Sequence, residues 1–228
     1  MTDPVSPILY IMDTAPLLQP ELFRHLYESV PDFRKESIDK IRPQSGKALS
    51  LGVSLLLVRA LEEAGIPDPE FGFNEHGKPF LRGSSLRFNL SHSGERAVCL
   101  VSDRECGCDT EKVRDANLKI ATRYFSPPER DLLLSLSDSD EQNRMFFRLW
   151  TLKESFMKAT GLGFSLPMSG FSIRISGDSV SVDQTSDPFS YSFSEFDFGD
   201  GYRYACCFRL DNKKNDGILP VAPVFVSL

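Results

Sequence analysis

The chain has 228 residues, of which 41% are apolar and 25% are charged, and its formal net charge is −6 with the histidines neutral. This composition is typical of a globular protein and excludes a mostly disordered chain, while the length allows one large domain or two small lobes. The acidic balance argues against bulk electrostatic binding to nucleic acid. No apolar stretch approaches the ~20 residues of a membrane span. The first residues do not resemble a secretory signal, so we expect a cytoplasmic protein.

The five cysteines predict neither disulfides nor a structural zinc site. An odd number of cysteines in a chain without a secretory signal is typical of reduced thiols. Cys106 and Cys108 are one residue apart, and Cys206 and Cys207 are adjacent. Zinc knuckles separate their thiolates by about two to four residues, so that both can reach one tetrahedral ion.

The first half of the chain predicts a mixture of helices and strands. Helices are indicated at 20–27 and over the dense apolar stretch 47–61, which ends near Gly65. Strands are indicated by apolar runs or alternation at 8–12, 71–73, 86–90 and 97–101. Turn residues interrupt the pattern at 77–79 and 93–94.

The second half has a similar plan, in which helices are followed by antiparallel strands. A strand at 107–112 comes first, and helical spacing follows at 118–124, 127–136 and 141–160. Alternation then predicts strands at 171–175, 179–182, 191–196 and 202–208. Residues 211–228 read as a polar turn region followed by a short apolar strand or arm. The two halves meet near Gly107, and the predicted fold class is α+β.

Asp109 and Glu111 form a candidate half-site for a hard cation. They are separated by one residue, and side chains alternate faces along a strand, so both carboxylates point to the same side. Mg²⁺ takes oxygen ligands and usually combines a few carboxylates with water and substrate phosphate. The alternative is an exposed strand face on which Lys112 and Arg114 pair with the two acids.

Trp150, Glu154 and Lys158 stand four residues apart on the last predicted helix and share one face. This spacing puts an aromatic wall, a third carboxylate and an ammonium group in a column. The alternative is purely structural, because Glu154 before Lys158 is the favoured helical ion pair and a single tryptophan is a natural core anchor.

The segment Ser91-His92-Ser93 is not predicted to be a nucleophile and base pair. Adjacent residues on a strand face opposite ways, so Ser91 and His92 do not readily meet. Such a turn can instead offer hydroxyl, imidazole and backbone donors to a phosphate. Lys78 is either a solvated loop charge or a second phosphate contact.

Five motifs occur in an order that resembles the Sfp-type 4′-phosphopantetheinyl transferases. They are Gly77-Lys78-Pro79, Phe88-Asn89-Leu90-Ser91-His92-Ser93, Gly107-x-Asp109-x-Glu111-Lys112, Phe125-Ser126-x-x-Glu129 and Trp150-Thr151-x-Lys153-Glu154-Ser155-x-x-Lys158. No single motif is specific, but their joint occurrence in register is. The resemblance covers residues 70–175, roughly half of the chain.

The resemblance implies a pseudo-dimer of two similar lobes, each a helix packed on a small antiparallel sheet. The lobes would comprise residues 1–106 and residues 107–228, the second with a C-terminal arm. The active site would lie in the cleft between them. The implied activity is Mg²⁺-dependent (or Mn²⁺-dependent) transfer of the phosphopantetheine arm of coenzyme A to a serine of an apo acyl or peptidyl carrier protein, with release of 3′,5′-ADP.

By position, the resemblance implies three sets of site residues. The metal ligands would be Asp109, Glu111 and Glu154. Coenzyme A would be contacted by Lys158 and His92 at the pyrophosphate, by Lys78 and Ser91 near the 3′-phosphate, and by Lys47, with Lys40 or Arg42 as alternatives to Lys47. Glu129, Lys153, Glu154 and Lys158 would be the catalytic residues, the first three as candidates for positioning or deprotonating the attacking serine.

The expected partner is an acidic carrier protein, which an acidic enzyme would repel. Docking must therefore rely on a local apolar or basic patch, and the candidate surface is residues 118–130, with Ile120, Tyr124 and Phe125 beside Lys119 and Arg123. We expect a monomer that binds neither nucleic acid nor membrane. The alternative functions are a metal-dependent phosphohydrolase that uses the same carboxylates and a non-enzymatic module that binds coenzyme A or a carrier protein.

Overall fold

Two small sheets, each covered by one long helix, form the centre of the fold. The computed structural model describes residues 6–210 and 220–228. Within that part, no helix is long and apolar enough to cross a membrane. The α-helices are α1 (Pro20–Tyr27), α2 (Asp32–Asp39), α3 (Gln44–Glu63), α4 (Leu118–Tyr124), α5 (Pro127–Ser135) and α6 (Ser139–Thr160).

The strands form two central sheets and two hairpins. They are β1 (Ile8–Asp13), β2 (Phe71–Phe73), β3 (Pro79–Leu81), β4 (Arg87–Ser93), β5 (Arg96–Ser102), β6 (Cys106–Lys112), β7 (Ser172–Ser176), β8 (Ser179–Asp183), β9 (Ser190–Phe196), β10 (Tyr202–Leu210) and β11 (Ala222–Val226). The predicted α+β class is confirmed.

The first sheet has the strand order β11-β1-β5-β4. Strands β1 and β4 both run antiparallel to β5, whereas β11 runs parallel to β1, with Ile8 opposite Ala222. Helix α3 packs its apolar side, including Val53 and Leu57, on this sheet. The last described strand thus belongs to the sheet built by the first half of the chain. The predicted division of the lobes at residue 106 stays a prediction.

The second sheet has the strand order β6-β10-β9, and both of its pairings are antiparallel. Helix α6 packs against β6 and β10. Its apolar face, including Leu149, Leu152 and Phe156, fills a core shared with Phe171 and Phe193. Each sheet therefore carries a long amphipathic helix.

The structure differs from the sequence-based elements where the chain is polar or short. Helix α2 was not predicted, because Ile38 is its only fully buried residue and its apolar periodicity is weak. Strand β3 begins at Pro79, where a turn was expected, and it pairs with β2 in a separate two-stranded sheet. Of the predicted polar turn and arm, residues 211–219 lie outside the described residues.

The five cysteines are free and buried in the core, as the sequence predicts. Cys106, Cys108 and Cys206 lie in an apolar cluster with side chains from β1 and β5, between the two sheets. Burial raises the pKa of Cys106 to about 12 and that of Cys108 to about 12. They remain protonated near neutral pH and pack as small apolar groups.

Gly107 allows α6 to lie directly on β6. A Cβ atom at this position would be 2.1 Å from the carbonyl oxygen of Ser155 and 2.4 Å from the backbone nitrogen of Ala159. These contacts are with helix backbone, which cannot rotate away as a flexible side chain could. The glycine therefore sets the distance between the helix and the strand.

We expect Gly107→Ala to destabilise the protein by about 1–3 kcal/mol, because overpacking must push α6 away from β6. Urea unfolding measures this cost. Gly170→Ala is the matched control, since its Cβ would meet only the Pro167 side chain, at 3.2 Å, and it should cost less. Equal costs for the two variants would contradict the close approach of α6 to β6.

Candidate active site

Polar side chains from β4, β6 and α6 meet where the two sheets adjoin. Asp109 is 5% exposed, and its Oδ1 accepts a hydrogen bond from Ser91 Oγ at 2.7 Å. Glu111 Oε2 accepts one from Ser93 Oγ at 2.6 Å. Asp109 and Glu111 thus both face β4, on the shared strand face that alternation predicts. Serines on the neighbouring strand hold the two carboxylates in place.

Lys158 extends from α6 to the same carboxylate. Its Nζ donates to Asp109 Oδ1 at 2.7 Å, to Ser91 Oγ at 3.0 Å and to the Cys108 carbonyl oxygen at 3.2 Å. Although burial opposes it, the Asp109 carboxylate raises the pKa of Lys158 above its ordinary value. The helical ion pair between Glu154 and Lys158, which was the structural alternative, is not formed, because Lys158 turns to Asp109 on the facing strand.

Glu154 stands one helical turn before Lys158 and is half-buried. Burial, and then the negative charge of Asp109, raises the pKa of Glu154, and Glu111 adds to the effect. The pKa of Glu111 is raised by burial and also by Asp109. The three carboxylates are therefore close enough to repel one another, with Lys158 among them.

The donor chemistry of this group suits a hard cation. Asp109 Oδ2 is buried and has no hydrogen-bond partner, and carboxylate oxygens are the ligands that Mg²⁺ prefers. The side chains are not gathered around one point, however: among the described residues, no three His, Cys, Asp or Glu side chains form a group that could hold a metal ion. Lys158 supplies the positive charge at Asp109 in this arrangement.

Ser91 and His92 face opposite ways, as predicted for neighbours on a strand. Ser91 is buried against Asp109, whereas His92 is exposed. Partial loss of hydration, followed by the Lys158 ammonium, lowers the pKa of His92. Since the ordinary value is about 6.5, the ring is neutral at neutral pH.

Arg34 is a cation near His92 that sequence reasoning missed. Its Nε donates to Ser54 Oγ at 2.8 Å, and its Nη2 donates to Ser50 Oγ at 3.2 Å. Burial lowers the pKa of Arg34, and its charge contributes to the lowered pKa of His92. The only sequence signal was the i,i+4 serine pair inside the apolar α3, which offers hydroxyl oxygens to a neighbouring donor.

Among the described residues, Lys78 and Lys47, two predicted contacts of coenzyme A, make no hydrogen bond to the carboxylates of the Asp109 group. Lys78 Nζ donates to the Cys106 carbonyl oxygen at 3.0 Å, and to Glu105 Oε2 and the Ala159 carbonyl oxygen at 3.4 Å each. It thereby links the β2–β3 hairpin to β6 and to the end of α6. Lys47 is half-buried in the first turn of α3. The structure describes no hydrogen bond from its side chain to the other predicted site residues.

A cavity of about 290 Å³ opens beside Glu154 and Lys158. Its wall combines these charged groups and Lys78 with the apolar side chains of Leu90 and Met157. The cavity thus offers a cationic and an apolar side to one ligand, next to the carboxylates. This is the combination that a phosphate-bearing molecule with an organic tail requires.

Glu129 and Lys153 form a separate ion pair that is sealed inside the core. Both side chains are 0% exposed, and Lys153 Nζ lies 2.8 Å from each Glu129 carboxylate oxygen. Lys153 also donates to the Phe171 carbonyl oxygen, and Glu129 accepts the backbone N–H groups of Ser126 and Ile173. The pair joins α5, α6 and β7. The structure does not bring it together with Asp109, and its implied role at the serine stays a prediction.

Comparison with known proteins relates this chain to 4′-phosphopantetheinyl transferases, both by a family model and by individual relatives. Residues 105–207 match the model of the 4′-phosphopantetheinyl transferase superfamily. The chain is 38% identical over 149 residues to a 4′-phosphopantetheinyl transferase of Bacillus subtilis, covering 64% of this chain and 65% of that protein. It is 32% identical over 159 residues to the 4′-phosphopantetheinyl transferase gsp of Aneurinibacillus migulanus, covering 69% and 66%. The match therefore spans slightly less than two thirds of these relatives' length.

The solved structures with a similar arrangement include the holo-[acyl-carrier-protein] synthase of Thermotoga maritima. The TM-score is 0.42 at 20% identity, and the match covers 49% of this chain and 66% of that one. This likeness is confined to about half of the described fold.

We expect Lys153→Met to destabilise the protein by about 3–5 kcal/mol, because it leaves the Glu129 carboxylate buried and unpaired. The double variant Glu129→Gln/Lys153→Met should recover much of the loss, since it removes that charge. Urea unfolding at neutral pH measures both. Arg148→Met is the control: Arg148 pairs with the partly exposed Glu195, and such pairs contribute about 1 kcal/mol or less. A cost for Lys153→Met no larger than this control would contradict the buried pair.

Proposed function

Since the chain belongs to the 4′-phosphopantetheinyl transferase superfamily, we propose that it transfers the phosphopantetheine arm of coenzyme A to a serine of an apo carrier protein. In this reaction the serine oxygen bonds to the phosphorus that bears the arm. The bond from that phosphorus to the bridging oxygen of the pyrophosphate breaks, and 3′,5′-ADP leaves with the bridging oxygen. The serine proton passes to a base. The enzyme is a holo-carrier-protein synthase in this proposal.

The observation that carries the proposal is the meeting of Asp109, Glu154 and Lys158 beside a cavity. Phosphoryl transfer requires little covalent chemistry from a protein and depends on positioning and charge neutralisation. Lys158 is charged and already held by three acceptors, so it is preorganised for a phosphate oxygen. His92, which is close enough to Lys158 and Arg34 to feel both charges, adds a further donor. The apolar wall at Leu90 and Met157 suits the organic part of the substrate.

We propose that Asp109, Glu111 and Glu154, which are not gathered around one point in this arrangement, come together to hold Mg²⁺, with Mn²⁺ as a substitute. When bound, the ion supplies charge neutralisation to the pyrophosphate. Asp109 contributes its unpartnered Oδ2, and Ser91 and Ser93 fix the orientation of the carboxylates. Glu154 lies nearest the cavity of the three, so it is our candidate to receive the serine proton.

The proposed carrier surface is residues 118–130, with one correction. Phe125 is 2% exposed and packs against Phe146 in the core, so it is not available to a partner. Tyr124 is 38% exposed, and Arg123 lies over its ring at 5.3 Å. An aromatic and a cation side by side can engage an acidic, partly apolar partner surface. A monomeric state and a cytoplasmic location stay predictions.

We expect one phosphopantetheine to be added to an apo acyl or peptidyl carrier protein by this chain in the presence of coenzyme A and Mg²⁺. Intact-mass spectrometry of a panel of apo carriers detects the addition. Chelation of the metal should abolish it, and so should Asp109→Asn, because both remove the proposed cation site.

A carrier whose acceptor serine is replaced by alanine serves as the control. Release of 3′,5′-ADP without modification of any carrier would instead identify a phosphohydrolase. Binding of coenzyme A or carrier without turnover would identify a binding module.

We expect Lys158→Met to reduce kcat/KM for coenzyme A by about 10²–10³, the effect typical of removing one preorganised charge-stabilising donor. Steady-state kinetics with coenzyme A varied, on protein shown to be folded by circular dichroism, measures it. Lys112→Met is the control, since Lys112 is exposed at the end of β6 and should change kcat/KM less than threefold. A similarly small change for Lys158→Met would assign Lys158 to structure alone.

A further inference from the structure

A second, more polar cavity lies at the β2–β3 hairpin and shares Lys78 and Gly161 with the one beside Glu154. Its volume is about 460 Å³, and it is bounded by the hairpin, the start of β4 and the end of β10. Four cationic side chains line it: Lys78, Arg82, Arg87 and Arg209. Glu105 is the one carboxylate in the lining, so three positive charges are left over. This local excess stands in a chain whose net charge is −6.

The Glu105 carboxylate is paired with two of these cations, Arg87 and Lys78. Its Oε1 accepts from Arg87 Nε at 2.7 Å, and its Oε2 accepts from Lys78 Nζ at 3.4 Å. Although burial alone would raise it, these two cations lower the pKa of Glu105 below its ordinary value. The carboxylate is therefore charged at neutral pH and already paired with two cations, and Arg82 and Arg209 have no further carboxylate in the lining.

Arg82 and Arg209, the other two cations of the lining, have guanidinium N–H groups for which the structure describes no acceptor. Arg82 is exposed; its Nε donates to the Phe71 carbonyl oxygen at 3.2 Å and its guanidinium lies 5.9 Å from the ring centroid of Phe80. The Arg209 guanidinium lies 4.3 Å from the ring centroid of Phe189. In the part of the chain that the structure describes, neither has a carboxylate within 4.0 Å. The guanidinium of Arg209 thus lies against an aromatic ring, Arg82 is held through its Nε, and the structure describes no hydrogen bond from the terminal nitrogens of either.

We propose that this cavity is a second anion site, which binds a small molecule bearing a phosphate group with at least two negative charges. The planar guanidinium presents paired N–H groups that match phosphate oxygens, and charge-assisted hydrogen bonds of this kind are stronger than neutral ones. A recessed cavity of about 460 Å³ fits a small molecule. The site is separate from the Asp109 group and does not depend on the proposed transfer reaction.

Lys78 gives the second site a route to the first. It lines both cavities, as does Gly161. An anion between Arg82 and Arg209 would attract the Lys78 ammonium, which now contacts Glu105 and two carbonyl oxygens. Binding in one cavity therefore changes the position of a cation in the wall of the other, and the two anions are coupled through it.

Isothermal titration calorimetry with the full chain tests the site directly. Inorganic pyrophosphate is one probe and ADP the other, in 0.15 M NaCl with EDTA, so that no metal recruits the anion to Asp109. Arg82→Gln should raise the Kd for pyrophosphate about tenfold, the effect of losing one charge-assisted contact. Arg82→Gln/Arg209→Gln should raise it further, and Arg82→Lys, which keeps the charge without the fork, should fall between wild type and Arg82→Gln.

Two variants control for charge and for location. Arg24→Gln removes one exposed charge on α1 and should leave the Kd within about twofold. Lys158→Met removes a cation from the wall of the first cavity, and it should also leave the Kd for pyrophosphate unchanged. Tighter binding of ADP than of pyrophosphate would support a nucleotide as the ligand. Tighter binding of pyrophosphate would support an inorganic anion. Absence of heat with either probe, or a loss of binding in Lys158→Met that equals the loss in Arg82→Gln, would overturn the proposal.

Discussion

Direct contact between α6 and β6 at Gly107 is the constraint on which the site depends. The helix backbone approaches so closely that no side chain fits between them. Lys158 therefore reaches across to Asp109 with its ammonium at 2.7 Å, and Glu154 comes within the electrostatic range of two carboxylates on the strand. A helix held one side chain further away would leave these charges separated by solvent, where they interact weakly.

Two neighbouring charged residues of α6, Lys153 and Glu154, have opposite surroundings. Lys153 points into the core, where its pairing with Glu129 saturates both groups and joins three elements. Glu154, the next residue, points to the cavity and has close negative neighbours instead of a cationic partner of its own. Buried pairs such as the first contribute little net stability but are costly to break. The buried Lys153–Glu129 pair therefore fixes the rotation of α6 about its axis. This rotation directs Glu154 and Lys158 towards the cavity.

Sequence reasoning predicted the elements that bury a regular apolar pattern, among them α3, α6 and the strands around the Asp109 motif. It also predicted that Asp109 and Glu111 share a face, because strand alternation is local. It did not predict that Lys158 pairs with Asp109 rather than with Glu154, since the facing strand is brought there by Gly107 and no helical rule includes it. Arg34 was missed for a similar reason: its serine partners lie on another helix. The two motifs that contain Glu129 and Lys153 indicated a role at the acceptor serine and did not predict that the two residues form a buried ion pair.

The parallel pairing of β1 with β11 has a consequence for synthesis. Ile8 pairs with Ala222, so the two strands are made more than 200 residues apart on the ribosome. Throughout that interval the outer edge of β1 has no neighbour, and an unpaired apolar strand edge can template pairing with another chain. Between the synthesis of β1 and the docking of β11, nascent copies of this protein can therefore pair wrongly through the free edge of β1. Chaperones that shield strand edges, and growth conditions that slow elongation, change the extent of this mispairing and leave the folded protein unaffected.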